Sequence, residues 1–177
     1  MSVITNILVS GPSGVGKSFL LARLADRLRD RTVRGFLSAS VTATGTRVGW
    51  RLDACDRSDG GVFAYRDRPS ELRIGPYGAD AELFERIALA QLMPVDPRAI
   101  YLVDEIGYAP EWSPRSLDAI LAILDAPVRV IAVVRARNDG RTPFAERVKR
   151  RTDAELIEVT AENRDALVGD IAARVLG

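Results

Sequence analysis

The chain has 177 residues, of which 47% are hydrophobic, and this length and composition suit one globular domain with a sizeable core. Its 25 basic and 24 acidic residues leave a net charge of +1, far from the strongly basic balance that nucleic-acid binding favours. It has no histidine and one cysteine, Cys55, which excludes histidine-based triads, histidine-ligated metals and a disulfide within one chain. We therefore predict one domain over residues 1–177, no stable nucleic-acid partner, and a buried, inert thiol at Cys55.

The first apolar run, at residues 3–9, has no basic region before it and leads directly into a glycine-rich loop. We interpret it as a core strand rather than a signal peptide. No apolar stretch approaches 18 residues, the length that a membrane-spanning helix needs. We expect a cytoplasmic protein without a membrane partner, and the sequence identifies no protein partner.

Hydrophobic periodicity and turn residues predict the elements of the first half. In chain order they are a strand at residues 3–9, a helix at 17–29, two strands at 33–41 and 46–54, a shorter strand at 61–65, a loop at 66–78 and a helix at 80–92. The strands on either side of Thr44 and Gly45 are predicted to form an antiparallel hairpin, which the shorter strand extends.

The second half continues the alternation of strands and helices. Its predicted elements are a strand at residues 100–103, a helix that begins at Ser113 and Pro114, a strand at 128–134, a short helix from Thr142 and Pro143 to Arg150, a strand at 155–159 and a helix at 161–176. This alternation predicts an α/β fold, with a mostly parallel sheet, helices on both faces and an antiparallel hairpin insertion.

Residues 11–18 match the phosphate-binding P-loop pattern G-x-x-x-x-G-K-[ST], between a predicted strand and a predicted helix. Glycines let backbone N–H groups approach a polyphosphate, and the helix N-terminus attracts the same anion. Lys17 is expected to reach the β- and γ-phosphates of a nucleoside triphosphate, and the Ser18 hydroxyl to bind Mg²⁺. The residues expected at the phosphates are Gly11, Pro12, Ser13, Gly14, Val15, Gly16, Lys17 and Ser18.

A second part of the site is predicted where the strand at residues 100–103 runs into Asp104 and Glu105. In a P-loop protein this is the position of the Walker B element, because ligands bind at the carboxyl ends of parallel strands. Asp104 is expected to hold Mg²⁺ together with Ser18, and Glu105 to accept a proton from the attacking water. Ile106 and Gly107 are included among the predicted nucleotide-binding residues, and the alternative is a solvated acidic turn.

Three arginines, Arg135, Arg137 and Arg141, follow the predicted strand at residues 128–134. An arginine at this edge is placed to stabilise charge on the γ-phosphate in cis, and we take Arg137 as the candidate. Lys17, Glu105 and Arg137 are therefore the predicted catalytic residues. A solvated basic loop is the alternative interpretation of this cluster.

The chain resembles the THEP1-type nucleoside-triphosphatase family in four stretches that together cover nearly its whole length. They are the P-loop, residues 34–36 with 45–52, Asp104-Glu105-Ile106-Gly107, which matches the family's D-E-I-G, and residues 143–165 with E-V-T-x-E-N-R-D at their end. The resemblance implies slow, Mg²⁺-dependent hydrolysis of several nucleoside triphosphates to diphosphate and phosphate, on a fold near the RecA/AAA-like branch. The chain departs from the family at Tyr108, where the family usually has a lysine, so turnover or substrate choice is expected to differ.

Two other functions remain open at this point. A P-loop phosphotransferase would move the γ-phosphoryl group to a nucleoside or to a polynucleotide 5′-hydroxyl, and the predicted hairpin and the loop at residues 66–78 are candidates for its acceptor pocket. A nucleotide-dependent binding switch would hold the triphosphate without fast turnover. A dedicated GTPase is disfavoured, because the chain has no N-K-x-D guanine signature.

Overall fold

A mixed β-sheet organises the chain in residues 6–137 and 140–177, which the computed structural model describes. Its nine strands are β1 (Asn6–Ser10), β2 (Val33–Ala43), β3 (Thr46–Ala54), β4 (Gly60–Tyr65), β5 (Arg73–Ile74), β6 (Tyr77–Ala79), β7 (Ile100–Ile106), β8 (Arg129–Val134) and β9 (Ala154–Glu158). They lie in the order β5-β6-β4-β3-β2-β7-β8-β1-β9. The first three residues of the strand predicted at 3–9 lie outside the described residues.

Five neighbouring strands, β2, β7, β8, β1 and β9, pair in parallel. β3, β4, β6 and β5 add an antiparallel extension on the β2 side. Because β1 and β7 both border β8, their carboxyl ends lie at one edge of the sheet with a single strand between them. This arrangement brings the loop after β1 close to the acidic end of β7, and it confirms the predicted α/β P-loop fold.

Helices cover both faces of the sheet. They are α1 (Lys17–Arg27), α2 (Ala81–Leu92), α3 (Tyr108–Glu111), α4 (Pro114–Asp125), α5 (Pro143–Lys149) and α6 (Arg164–Leu176). Side chains alternate along each parallel strand, so Leu8 packs with the α2 and α4 side while Ile7 and Val9 pack with the α1 and α6 side. Strands buried on both faces explain the nearly continuous apolar runs in the sequence. None of the helices in the described part of the chain is long and apolar enough to span a membrane.

Two helix starts follow the expected capping chemistry. The Asp80 carboxylate accepts a hydrogen bond from the Leu83 N–H at 2.9 Å, and the Ser113 hydroxyl accepts one from the Ser116 N–H at 3.1 Å. Each side chain satisfies a backbone donor that has no partner within its own helix. The helix start predicted at Ser113 and Pro114 is confirmed.

Three segments differ from the sequence prediction. Residues 66–78, predicted as a loop, contain β5 and the beginning of β6, because Ala64 and Tyr65 of β4 supply pairing partners for β6. The strand predicted at residues 100–103 extends to Ile106, so Asp104 lies within β7 rather than after it. A short helix, α3, was not predicted.

Cys55 is only partly buried, at the end of the core shared by α1 and α6, and not fully buried as expected. Burial nonetheless raises the pKa of its thiol to about 12. The reactive thiolate is therefore scarce at neutral pH, which agrees with the predicted inert role.

Candidate active site

The loop between β1 and α1 has the backbone geometry of an anion-binding concavity. Gly11, Gly14 and Gly16 have φ angles of 149°, 83° and 108°, in the region that favours glycine. At Gly11 a Cβ atom would lie 2.6 Å from the Val159 carbonyl oxygen, so the close approach of β9 also requires glycine there. Left-handed residues at such spacing curl the backbone and bring successive N–H groups toward one point. This geometry suits the predicted phosphate-binding function.

Lys17 is the first residue of α1, and its side chain folds back over the loop. Its ammonium donates hydrogen bonds to the carbonyl oxygens of Gly11 and Pro12, both at 2.8 Å. Burial lowers the pKa of Lys17, while the nearby carboxylates of Glu105 and Asp104 raise it in part. The side chain is therefore a cation held at the mouth of the loop, at the position predicted for a phosphate.

Asp104 is 2% exposed, and it joins three elements of the site. Its Oδ2 accepts hydrogen bonds from the Ser38 hydroxyl at 2.8 Å and from the Ser38 N–H at 3.3 Å. Burial raises its pKa, and hydrogen bonds from the side chains of Ser18 and Ser38 lower it. The contact between Ser18 of α1 and Asp104 of β7 brings together the two side chains predicted to bind Mg²⁺.

The chemistry of these two side chains fits Mg²⁺. The ion takes hard oxygen ligands, and it is usually held by one or two protein groups together with substrate phosphates and water. Ser18 supplies a hydroxyl and Asp104 a carboxylate. The described residues contain no cluster of three or more acidic or cysteine side chains that forms an all-protein cage. A site of this kind depends on phosphate oxygens to complete the coordination.

Glu105 is partly buried, and its pKa is raised to about 6 by burial and by the negative charge of Asp104. Arg135 and Lys17 oppose that rise. A carboxylate with a pKa near neutral pH is an effective proton acceptor. Gly107 lies against the same side chain, because a Cβ atom at Gly107 would be 2.4 Å from Glu105 Oε1.

All of these side chains face one cavity of about 590 Å³. Seven of the eight predicted phosphate-loop residues line it, namely Gly11, Pro12, Ser13, Gly14, Gly16, Lys17 and Ser18. Val15 packs against the core instead, and Ile106 is fully buried behind the site. The nucleotide contacts of all the predicted residues stay predictions, and Val15, Ile106 and Gly107 are the ones that do not line the cavity.

The arginines at the end of β8 are held by a residue that sequence reasoning did not place in the site. Arg135 and Arg137 both line the cavity, and Arg137 is exposed whereas Arg135 is partly buried. The hydroxyl of Tyr108 accepts hydrogen bonds from Arg135 at 2.5 Å and from Arg141 at 2.8 Å. The Arg135 guanidinium also lies 4.1 Å from the centre of the Tyr108 ring. Tyr108, at the departure from the family pattern, thus anchors two arginines beside Glu105.

Sequence reasoning also did not identify Ser38 as a residue of the site. It lies on β2, 66 positions before Asp104, and no local motif marks it. Only the parallel pairing of β2 with β7 brings the two residues together.

Comparisons with known proteins point to one family and one fold. The family model described as NTPase matches residues 6–172. The chain is 30% identical over 166 residues to nucleoside-triphosphatase THEP1 of Thermotoga maritima, covering 93% of this chain and 92% of that protein. It is 28% identical over 183 residues to the human cancer-related nucleoside-triphosphatase, covering 96% of both. The crystal structure of THEP1 from Aquifex aeolicus superposes with a TM-score of 0.85 at 29% identity, over 96% of this chain and 98% of that one.

Proposed function

The chain belongs to the NTPase family and is a nucleoside-triphosphatase, and on that premise we propose that it hydrolyses several nucleoside triphosphates slowly and with Mg²⁺. The observation that carries the proposal is the convergence of Lys17, Ser18, Asp104 and Glu105 on one end of one cavity. Together these residues provide the phosphate binding, metal binding and proton acceptance that phosphoryl transfer to water needs.

In the proposed reaction, the loop at residues 11–18 and Lys17 bind the β- and γ-phosphates. Ser18 and Asp104 would hold Mg²⁺, which would supply positive charge that neutralises the phosphates. Glu105 orients a water molecule and accepts its proton as the water oxygen attacks the γ-phosphorus. The bond from the γ-phosphorus to the bridging oxygen breaks, and the diphosphate leaves. Slow turnover is consistent with Tyr108 at the position of the family's lysine.

Hydrolysis is expected to tolerate different bases, because the predicted contacts go to phosphates and Mg²⁺, which every nucleoside triphosphate shares. Discrimination then rests on stacking and apolar contact, which separate similar ligands by about 1–3 kcal/mol. Measuring kcat/KM for ATP, GTP, CTP and UTP, each with and without Mg²⁺, tests both parts of the proposal. A preference above about 10⁴-fold for one base requires buried, paired polar contacts to that base, and it would contradict broad specificity. Full activity in EDTA would contradict the role of Mg²⁺.

Arg135 and Arg137 are the two candidates for the residue that stabilises charge on the γ-phosphate. Arg137 is the sequence candidate, and Arg135 is favoured by its anchoring on Tyr108 and by its attraction to Glu105. We expect Arg135→Ala to lower kcat by roughly 10²-fold or more, because a preorganised cation is lost where charge develops. The exposed Arg137 is expected to contribute less, and Arg137→Ala is the matched comparison. A larger loss of kcat in Arg137→Ala than in Arg135→Ala would assign the role to Arg137.

A further inference from the structure

The cavity continues well beyond the space that phosphates, Mg²⁺ and one water need. A water molecule takes about 30 Å³ in the liquid, whereas the whole cavity is about 590 Å³. Its far end is apolar and is built by the antiparallel extension of the sheet together with α2 and α3. The lining residues there are Trp50, Leu52, Phe63, Ile74, Phe84 and Ala109.

This apolar end shares its cavity with Glu105, the residue proposed to orient the attacking water. β7 and β2 are on one side of β1, and β9 is on the other. Lys17, Ser18 and Asp104 mark where the β- and γ-phosphates bind, and Asp104 is the residue nearest the extension. The attacking and leaving oxygens must lie roughly in line with the γ-phosphorus. Because Glu105 and the apolar residues line the same cavity, a hydroxyl group of a molecule bound there would reach the γ-phosphate from the side of the proposed attacking water.

The lining indicates the chemistry of the molecule that fits. Trp50 is partly buried, and the guanidinium of Arg47 lies 4.4 Å from the centre of its ring system. Phe63 and Ile74 add apolar surface around it. Ser38 and Ser40 also line the cavity and supply hydroxyl groups. Ser40 is paired with Trp50 across β2 and β3, and the Ser38 hydroxyl donates to Asp104. The cavity lining thus includes aromatic and apolar residues, serine hydroxyl groups and the predicted phosphate loop, a combination that suits a planar ring joined to a hydroxyl-bearing sugar.

We propose that the apolar end of the cavity binds a nucleoside as a second substrate, with its ring at Trp50 and a sugar hydroxyl directed to the γ-phosphate. The inference rests on the proposed function, since it places the γ-phosphate of the triphosphate at the polar end. It makes water hydrolysis the reaction that occurs when this second site is empty.

The chemical step balances without any further reactant. The nucleoside hydroxyl oxygen forms a bond to the γ-phosphorus while the bond from that phosphorus to the bridging oxygen breaks. Glu105 takes the hydroxyl proton in place of the proton of water. The products are a nucleoside monophosphate and a nucleoside diphosphate.

The test follows the labelled phosphate of γ-³²P ATP, with Mg²⁺, in the presence of adenosine, guanosine, cytidine or uridine. Free phosphate and labelled nucleoside monophosphate are measured in the same reaction. The proposal expects labelled monophosphate with at least one nucleoside, rising to saturation with its concentration, while free phosphate falls. Free phosphate with no labelled monophosphate for any nucleoside would overturn the second site and leave hydrolysis intact. Neither product from ATP would contradict the proposed function itself.

Two variants test the location of the site. Trp50→Leu removes a stacking surface, and Ile74→Trp fills the apolar end. Because stacking of a base on an aromatic side chain is typically worth about 1–3 kcal/mol, Trp50→Leu is expected to lower the ratio of transferred to hydrolysed phosphate by about 10-fold. Ile74→Trp is expected to lower this ratio too, because its larger side chain takes up the space of the nucleoside. Leu156→Trp adds the same side chain on exposed β9, outside the cavity, as the control. An unchanged ratio in both Trp50→Leu and Ile74→Trp would overturn the assignment of the apolar end.

Discussion

Lys17→Ala is expected to abolish productive binding of nucleoside triphosphates and to cost at least about 3 kcal/mol of transition-state stabilisation. The ammonium donates hydrogen bonds to the loop carbonyls of Gly11 and Pro12, so its loss is expected to remove a ligand for phosphate rather than a part of the core. We expect the melting temperature to change little. Titration with a fluorescent triphosphate and a kcat/KM measurement, beside a thermal melt, separate the two effects.

A second substitution at position 17 tests whether a positive charge alone is sufficient for triphosphate binding and turnover. Lys17→Arg keeps the positive charge, but the forked guanidinium does not fit the narrow loop as the ammonium does. Activity is therefore expected to fall in both variants. Arg98→Ala, which removes a cation from a side chain that is 86% exposed, serves as the control and is expected to leave kcat/KM unchanged. Wild-type turnover in Lys17→Ala would refute the assignment of residues 11–18 as the phosphate site.

Glu105→Gln is expected to keep nucleotide affinity and to lower the rate constant of hydrolysis by roughly 10²-fold or more. Glutamine has the shape and hydrogen-bonding capacity of the acid, but it does not accept the proton of the attacking water. Single-turnover hydrolysis gives the rate constant, and equilibrium titration gives the affinity. Glu82→Gln removes the same charge from the exposed face of α2, and we expect it to leave both quantities unchanged.

The relation between the two quantities decides the role of Glu105. A fall in affinity as large as the fall in rate would indicate that Glu105 acts on the metal or on the fold. An unchanged rate constant would show that another group accepts the proton.

The predicted phosphate loop could be identified from the sequence because its residues are close together in the chain. Gly11, Gly14, Gly16 and Lys17 form one short motif, and the glycine conformations and the position of the ammonium follow from the turn between β1 and α1. The acidic end of β7 was predictable because an apolar strand that runs into acids has a defined place in a parallel sheet. The structure brings Asp104 next to Ser18, as this reasoning requires.

The rest of the site depends on contacts between distant parts of the chain. Ser38 reaches Asp104 only because β2 pairs with β7, and Tyr108 reaches Arg135 only because β7 pairs with β8. Residues 66–78 have the composition of a loop, and tertiary pairing with β4 overrides that local preference. The apolar end of the cavity collects residues from three strands and two helices, so no sequence window contains it.

The most direct test of the account is hydrolysis of ATP in H₂¹⁸O with Mg²⁺, followed by mass spectrometry of both products. Attack of water on the γ-phosphorus, as we place it beside Glu105, predicts one ¹⁸O atom in the released phosphate and none in the diphosphate. The same label is expected with GTP, CTP and UTP. Label in the nucleotide product, or release of pyrophosphate, would show attack at another phosphorus and contradict the account.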